Sequence, residues 1–167
     1  MDSNSLIPFI KSTTTMFETM FQLAVQIGEP TVKDPNSACF DVSGIIGFSG
    51  DIEGTVILTF PEATALRVSQ LMTGEDLTDR PDDLSDAIGE LANMVAGGAK
   101  AQFDGKQVAI TCPSVVIGKD HVVQQQRDMS CVCIPCECDC GNFNIELSVR
   151  PASGNATGNT AAASANA

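Results

Sequence analysis

Asp86-Ala87-Ile88-Gly89-Glu90-Leu91-Ala92-Asn93-Met94-Val95-Ala96-Gly97-Gly98-Ala99-Lys100 is the stretch that decides how this chain folds. Advancing roughly 100° per residue, as a helix does, Leu84, Ile88, Leu91 and Val95 fall on one side. Asp86, Glu90, Asn93 and Gly97 fall on the opposite one. The stretch therefore predicts a helix with an apolar back and a sparse polar front. Glu90 and Asn93 are three residues apart, a spacing that sets neighbouring side chains on one helical surface. The stripe holds no Ser or Cys, and the only histidine, His121, lies far along the chain, so nucleophilic catalysis of the Ser-His or Cys-His kind is excluded for this face. A carboxylate and a carboxamide can accept, donate and orient.

Working outward, Pro81-Asp82-Asp83 opens this helix with a proline and two acids near its positive end, and the pattern carries it to about Phe103. Gly97-Gly98 interrupts it at a cost of roughly 1 kcal/mol per glycine relative to alanine. Two readings of the bare glycine surface stay open: close packing inside the domain, or the approach of another protein's backbone at Gly89 and Gly97. Before the helix, residues 75 to 80 form a polar linker. Pro61-Glu62 starts a shorter helix that Gly74 ends.

Further upstream the period changes. Gly54 to Phe60 is a strand, returning from the Ser49-Gly50-Asp51 turn after a first strand through Phe40, Val42, Ile45, Ile46 and Phe48. The adjacent isoleucines break the alternation and predict a bulge near Gly44. Residues 5 to 27 space Leu6, Ile10, Phe17, Met20, Phe21 and Ala24 as a helix, with Gly28 and Pro30 as its stop. The β-branched run Thr13-Thr14-Thr15 gives it weak local propensity, so tertiary packing must hold it.

After residue 107 the pattern is strand-like: Val108-Ala109-Ile110, Val115-Val116-Ile117, Val122 into Asp128, Ser130 to Cys138, and Phe143 to Val149. The expected class is α+β, an antiparallel sheet of about six strands with two long helices and one shorter helix on one face. Residues 1 to 150 form the expected single domain. From Pro151 on, Ser, Gly, Asn, Thr and Ala alternate without large apolar groups, and residues 151 to 167 are expected to be a disordered tail.

A chain of 167 residues can bury about two-thirds of its unfolded surface. Trp and Tyr are absent, so the core is aliphatic apart from Phe. A net charge of −12 with nine Lys and Arg argues against nucleic-acid binding, which needs a basic surface. The N-terminus lacks a basic start followed by an apolar run, and no stretch approaches the roughly 18 apolar residues of a membrane span, so a soluble, cytoplasmic protein is expected. The seven cysteines, an odd number without a signal peptide, are expected as free thiols. Five of them, Cys131, Cys133, Cys136, Cys138 and Cys140, raise a metal or redox alternative. Their spacing does not match paired Cys-x-x-Cys knuckles, and cysteine also serves as a small buried hydrophobe. His121 is expected on a solvated strand edge.

Taken together, Gly89-Glu90-Leu91-Ala92-Asn93-Met94-Val95-Ala96-Gly97 with Asp86 ahead of it resembles the helix of the CheC/CheX/FliY phosphatases. The resemblance extends through Pro8-Phe9-Ile10, Phe17-Glu18-Thr19-Met20, Ile46 to Asp51, Gly54-Thr55-Val56 and Pro113 to Gly118, covering about residues 5 to 149. The single motif copy is most similar to the CheX type, since Glu18 on the first helix has Phe21, not Asn, three residues on. The resemblance implies hydrolysis of the phosphoaspartate on a CheY-type response regulator. Asn93 would then orient the attacking water and Glu90 would pair with the regulator's lysine. Asp86, Gly89 and Gly97 would contact that partner. It implies no cofactor of the chain's own, with Mg²⁺ supplied by the phosphorylated regulator, and a homodimer joined by sheet edges. A non-catalytic receiver-binding or flagellar-switch-like module would use the same face.

Overall fold

The computed structural model describes residues 3–153. Three helices, α1 (Ser3–Phe21), α2 (Glu62–Thr73) and α3 (Pro81–Lys100), pack on one face of an antiparallel sheet. Its long strands are β3 (Val42–Gly50), β4 (Ile52–Phe60), β7 (Val132–Cys138) and β8 (Gly141–Pro151). Four short ones, β1 (Gln26–Ile27), β2 (Thr31–Val32), β5 (Val108–Ile110) and β6 (Ser114–Ile117), finish its edges. The order is β1-β7-β8-β4-β3-β5, with β2 also on β7 and β6 also on β3. This is the α+β class expected from the sequence.

Period-two patterning sorts each strand. Val42, Ile46 and Phe48 of β3, Ile52, Val56, Leu58 and Phe60 of β4, and Phe143, Ile145, Leu147 and Val149 of β8 point into one hydrophobic cluster with the helices. An aromatic run crosses it: Phe21 meets Phe17 edge-on at 5.4 Å, Phe17 stacks on Phe143 at 5.1 Å, and Phe143 stacks on Phe60 at 5.2 Å. The opposite side of the sheet is crossed by residues 33–41 and 118–131. Lys33 Nζ donates to Glu146 Oε1 at 2.6 Å, the Phe40 amide donates to Thr59 Oγ1 at 2.8 Å, and Arg150 donates to Asp128 Oδ2 at 2.7 Å.

Several expectations change. Helix α1 stops at Phe21 rather than near residue 27, because Gln22 turns left-handed (φ 55°) and its amide closes on the Glu18 carbonyl at 3.1 Å. The threonine run is held as expected by packing, with Thr13 fully buried and its hydroxyl donating to the Phe9 carbonyl at 2.8 Å. There is no bulge near Gly44: β3 pairs with β4 without a break from Val42 to Phe48. Ile46 enters the core and Ile45 the other side, as the pleat requires, and Gly44 is small for a different reason given below. Residues 122–128 form no strand; Arg150 holds the segment at Asp128.

His121 is not a solvated edge residue. Its Nδ1 lies 2.7 Å from the Gly118 carbonyl, which fixes that nitrogen as the donor, and its Nε2 lies 2.8 Å from Ser43 Oγ. Ser43 in turn bonds Thr59 at 2.9 Å, and both are fully buried. Strand β8 runs to Pro151, one residue past the expected boundary at 150, and the Ala152 amide beyond it donates to the Asp51 carbonyl. The remainder of the expected tail, 154–167, lies outside the described residues. No described helix is long and apolar enough to cross a membrane.

Candidate functional site

The site rests on how α3 is seated. Pro81 stands in its first turn with Asp82 and Asp83, and Lys100 stands in its last, so charge complements the helix dipole at both ends. Leu84, Ile88, Leu91 and Val95 are buried, as the periodicity predicts. Beneath them lies Gly44 of β3, where a Cβ would sit 2.9 Å from Ala92 Cβ and 3.2 Å from the Ile88 carbonyl. Glycine there lets the helix settle onto the middle of the sheet. On its other flank, Ser12 of α1 donates to the Val95 carbonyl at 2.7 Å.

That seating turns the polar stripe outward. Asp86 and Glu90 are exposed and Asn93 is half-buried. Among the described residues, none of these three side chains is engaged in a hydrogen bond or an ion pair. The glycines divide between the two readings. Gly97 has nothing within 4 Å of where a Cβ would stand, so its surface is bare. Gly98 lies directly against Ser12 and is a packing glycine. Gly89 is buried rather than bare: a Cβ there would meet Val115 at 3.4 Å and Pro113 at 3.5 Å.

Gly89 nevertheless forms the floor of a cleft of about 350 Å³ lined by Ser85, Asp86, Glu90, Pro113 and Val115. The far wall exists because the β5–β6 edge breaks in the middle. The Thr111 amide bonds Gly47, and Thr111 Oγ1 accepts from the Gly47 amide at 2.9 Å, after which Pro113 has no amide to give. Sequence reasoning assigned Pro113 and Val115 no place in the site. Their signals were the segment Pro113 to Gly118 within the resemblance and the break at residues 111–113 between two short strands.

The cysteines lie elsewhere. Six are buried or half-buried and Cys112 alone is exposed; all seven are free thiols. Burial pushes Cys131 up to about 12, helped by the Glu146 carboxylate, and pushes Cys136 up to about 12, helped by Cys133. Such thiols are poor nucleophiles. No three of the described His, Cys, Asp and Glu side chains are grouped as a metal centre requires.

An outward carboxylate and carboxamide one turn apart, unengaged and beside bare backbone, form a surface for orienting groups that arrive with another molecule. The family model for chemotaxis phosphatase CheX matches residues 42–137, which contain the whole of α3, the β3–β4 hairpin and the cleft. The CheY-P phosphatase CheX of Thermotoga maritima is 34% identical over 123 residues, covering 72% of this chain and 79% of that protein. The crystal structure of CheX from Desulfovibrio desulfuricans is 31% identical, covers 89% of this chain and 99% of its own, and superposes with a TM-score of 0.80. A CheX from Borrelia burgdorferi, crystallised with CheY, BeF₃ and Mg²⁺, is 21% identical with a TM-score of 0.74 over 87% of this chain and 97% of its own, a likeness of fold. On its motif helix, its fold and its kinship, the chain belongs to the CheX family of chemotaxis phosphatases.

Proposed function

We propose that this protein hydrolyses the phosphoaspartate of a CheY-type response regulator through the exposed face of α3. The observation that carries the reading is the joint presentation of Glu90 and Asn93, one turn apart, without partners among the described residues and flanked by the bare Gly97. The CheX of Borrelia burgdorferi bound to CheY supports a receiver domain as the partner, and that complex holds Mg²⁺.

In the reaction a water oxygen forms a bond to phosphorus while the bond from phosphorus to the aspartyl oxygen breaks. The electron pair returns to the aspartate carboxylate and inorganic phosphate leaves. Asn93 does not titrate; its carbonyl oxygen accepts a hydrogen bond from the water, whose proton leaves on the phosphate, and its amide donates to a phosphoryl oxygen, which holds the attack in line. Glu90 pairs with a lysine of the receiver, setting the two surfaces in register. Asp86 extends that acidic edge, and Gly97 leaves room for the partner's backbone. A divalent ion, which the receiver would bring as CheY does in the Borrelia burgdorferi complex, would neutralise charge on the phosphoryl group.

A homodimer fits the β5–β6 edge, where Ser114 and Ile117 are exposed along a strand with a free outer side. Sedimentation of Ile117→Lys against the wild type tests it. The activity itself is tested by phosphate release from phosphorylated receiver domains with catalytic amounts of enzyme. Turnover by the wild type supports the reading; stoichiometric binding without turnover sinks it.

A further inference from the structure

The outward face of α3 changes sign along its length. Asp86, Asn93 and Lys100 stand seven residues apart on one continuous helix, so each step turns by only about 20° and advances by about 10 Å. Before Asn93 the face is acidic, with Asp86 and Glu90 both exposed. Beyond it the face is basic, and Lys100 is not alone there. The chain folds back directly after the helix: the Lys106 amide donates to the Phe103 carbonyl at 3.2 Å, and the Phe103 ring packs on Phe9 at 6.0 Å. That pinned loop brings Lys106 to the groove of about 530 Å³ that Lys100 lines together with Ser49, Gly50 and Val108.

The helix dipole explains one cation at this end, but not the second, which lies outside the helix. Among the described residues no carboxylate lines the groove. Asp51, at the neighbouring turn, is taken by the Gln107 amide at 2.7 Å. Lys33, Arg80 and Arg150 are each held in ion pairs, whereas Lys100 and Lys106 make none among the described residues. Two cations at one groove without a counter-charge stand out in a chain of net charge −12.

We infer that Lys100 and Lys106 receive an acidic side chain of the docked receiver and so fix the direction in which it lies along α3. The inference rests on the phosphatase reading for the identity of its partner. Glu90 meets the receiver's lysine at one end, the acid meets Lys100 and Lys106 at the other, and Asn93 stands between the two anchors. The bare Gly97 keeps the path between them open. A receiver turned end for end would set lysine against lysine and acid against Asp86 and Glu90, and like charges reject that pose.

The test measures binding apart from turnover. Kd is read by calorimetry with a CheY-type receiver domain activated by beryllofluoride, and kcat and KM by phosphate release from the same domain phosphorylated with phosphoramidate. Lys100→Glu is expected to raise Kd and KM about tenfold and to leave kcat within about twofold, as juxtaposed like charges weaken docking without touching the chemistry. Lys100→Gln is expected to raise both about threefold, the order of one lost exposed pair. Lys106→Glu is expected to act in the same direction. Arg127→Glu, the same change in net charge in the segment that crosses the opposite side of the sheet, is expected to leave Kd and KM within about twofold. Among receiver variants with single exposed acids reversed to Lys, one is expected to bind the Lys100→Glu protein more tightly than it binds the wild type, a recovery that a merely structural role for Lys100 would not give. Values for Lys100→Glu no higher than those for Arg127→Glu, or a rise that no receiver variant reverses, overturn the inference. Charge-dependent binding without phosphate release sinks the phosphatase reading and supports the inference; a wild type that binds no receiver overturns both.

Discussion

Ser12 on α1 spans to α3, where its hydroxyl donates to the carbonyl of Val95 at 2.7 Å and fills the space above Gly98. At the neighbouring Gly97 no described residue comes within 4 Å of where a Cβ would stand. The two adjacent glycines should therefore respond oppositely to the same methyl. Gly98→Ala drives the Ser12 contact apart and is expected to lower stability by about 1 to 3 kcal/mol, as overpacking does. Gly97→Ala is expected to raise it by up to about 1 kcal/mol through helix propensity, while slowing receiver dephosphorylation. Urea denaturation and phosphate release, measured on both variants, decide it.

Kinetics should separate the two polar residues of α3. Asn93→Ala is expected to lower kcat at least tenfold, a modest share of what correct positioning supplies. Glu90→Gln is expected to raise KM and to flatten its dependence on salt, as loss of an intermolecular ion pair does. Unchanged kcat in Asn93→Ala removes that carboxamide from the mechanism.

The Lys33–Glu146 pair, with side chains 12% and 3% exposed, is a buried ion pair reinforced by Cys39. Burial alone acts against the Lys33 ammonium, but the hydrogen bond and charge of Glu146 outweigh it and raise its pKa. Lys33→Met leaves Glu146 uncompensated and is expected to cost about 3 to 5 kcal/mol, most of it recovered in the double variant Lys33→Met/Glu146→Leu. Chemical denaturation of the single and double variants measures the recovery.

Alkaline pH should loosen the fold through its thiols. Cys131 and Cys136 rise from the ordinary 9.0 to about 12 in the folded state. Between those values the unfolded chain has released protons that the native state still holds, so stability falls as pH rises. The melting temperature is expected to drop between pH 9 and 12, less steeply in Cys136→Ala than in the wild type. At neutral pH a thiol reagent is expected to modify Cys112, the exposed one, ahead of the other six.

Where periodicity and end signals agreed, the chain could be read directly. Helix α2, closed by the left-handed Gly74, and strand β5 stand where the sequence put them. The buried and exposed sides of α3 also follow its spacing, except at Gly89. Failures came where distant groups decide. Gly28 and Pro30 were stronger stop signals than Gln22, yet the turn at Gln22 ends α1 because Leu23 and Val25 then pack against the core. Two-residue strands such as β1 and β2 carry no period. The role of His121 depends on Ser43, 78 positions away, and nothing local announces it.

Only position 21 separates α1 from a Glu-x-x-Asn of its own, yet the ring of Phe21 heads a column that continues through Phe17 and Phe143 to Phe60. Gaining a second motif on α1 would mean unstacking that column at its outer end. A change confined to one residue is thus opposed by the interior of the whole domain.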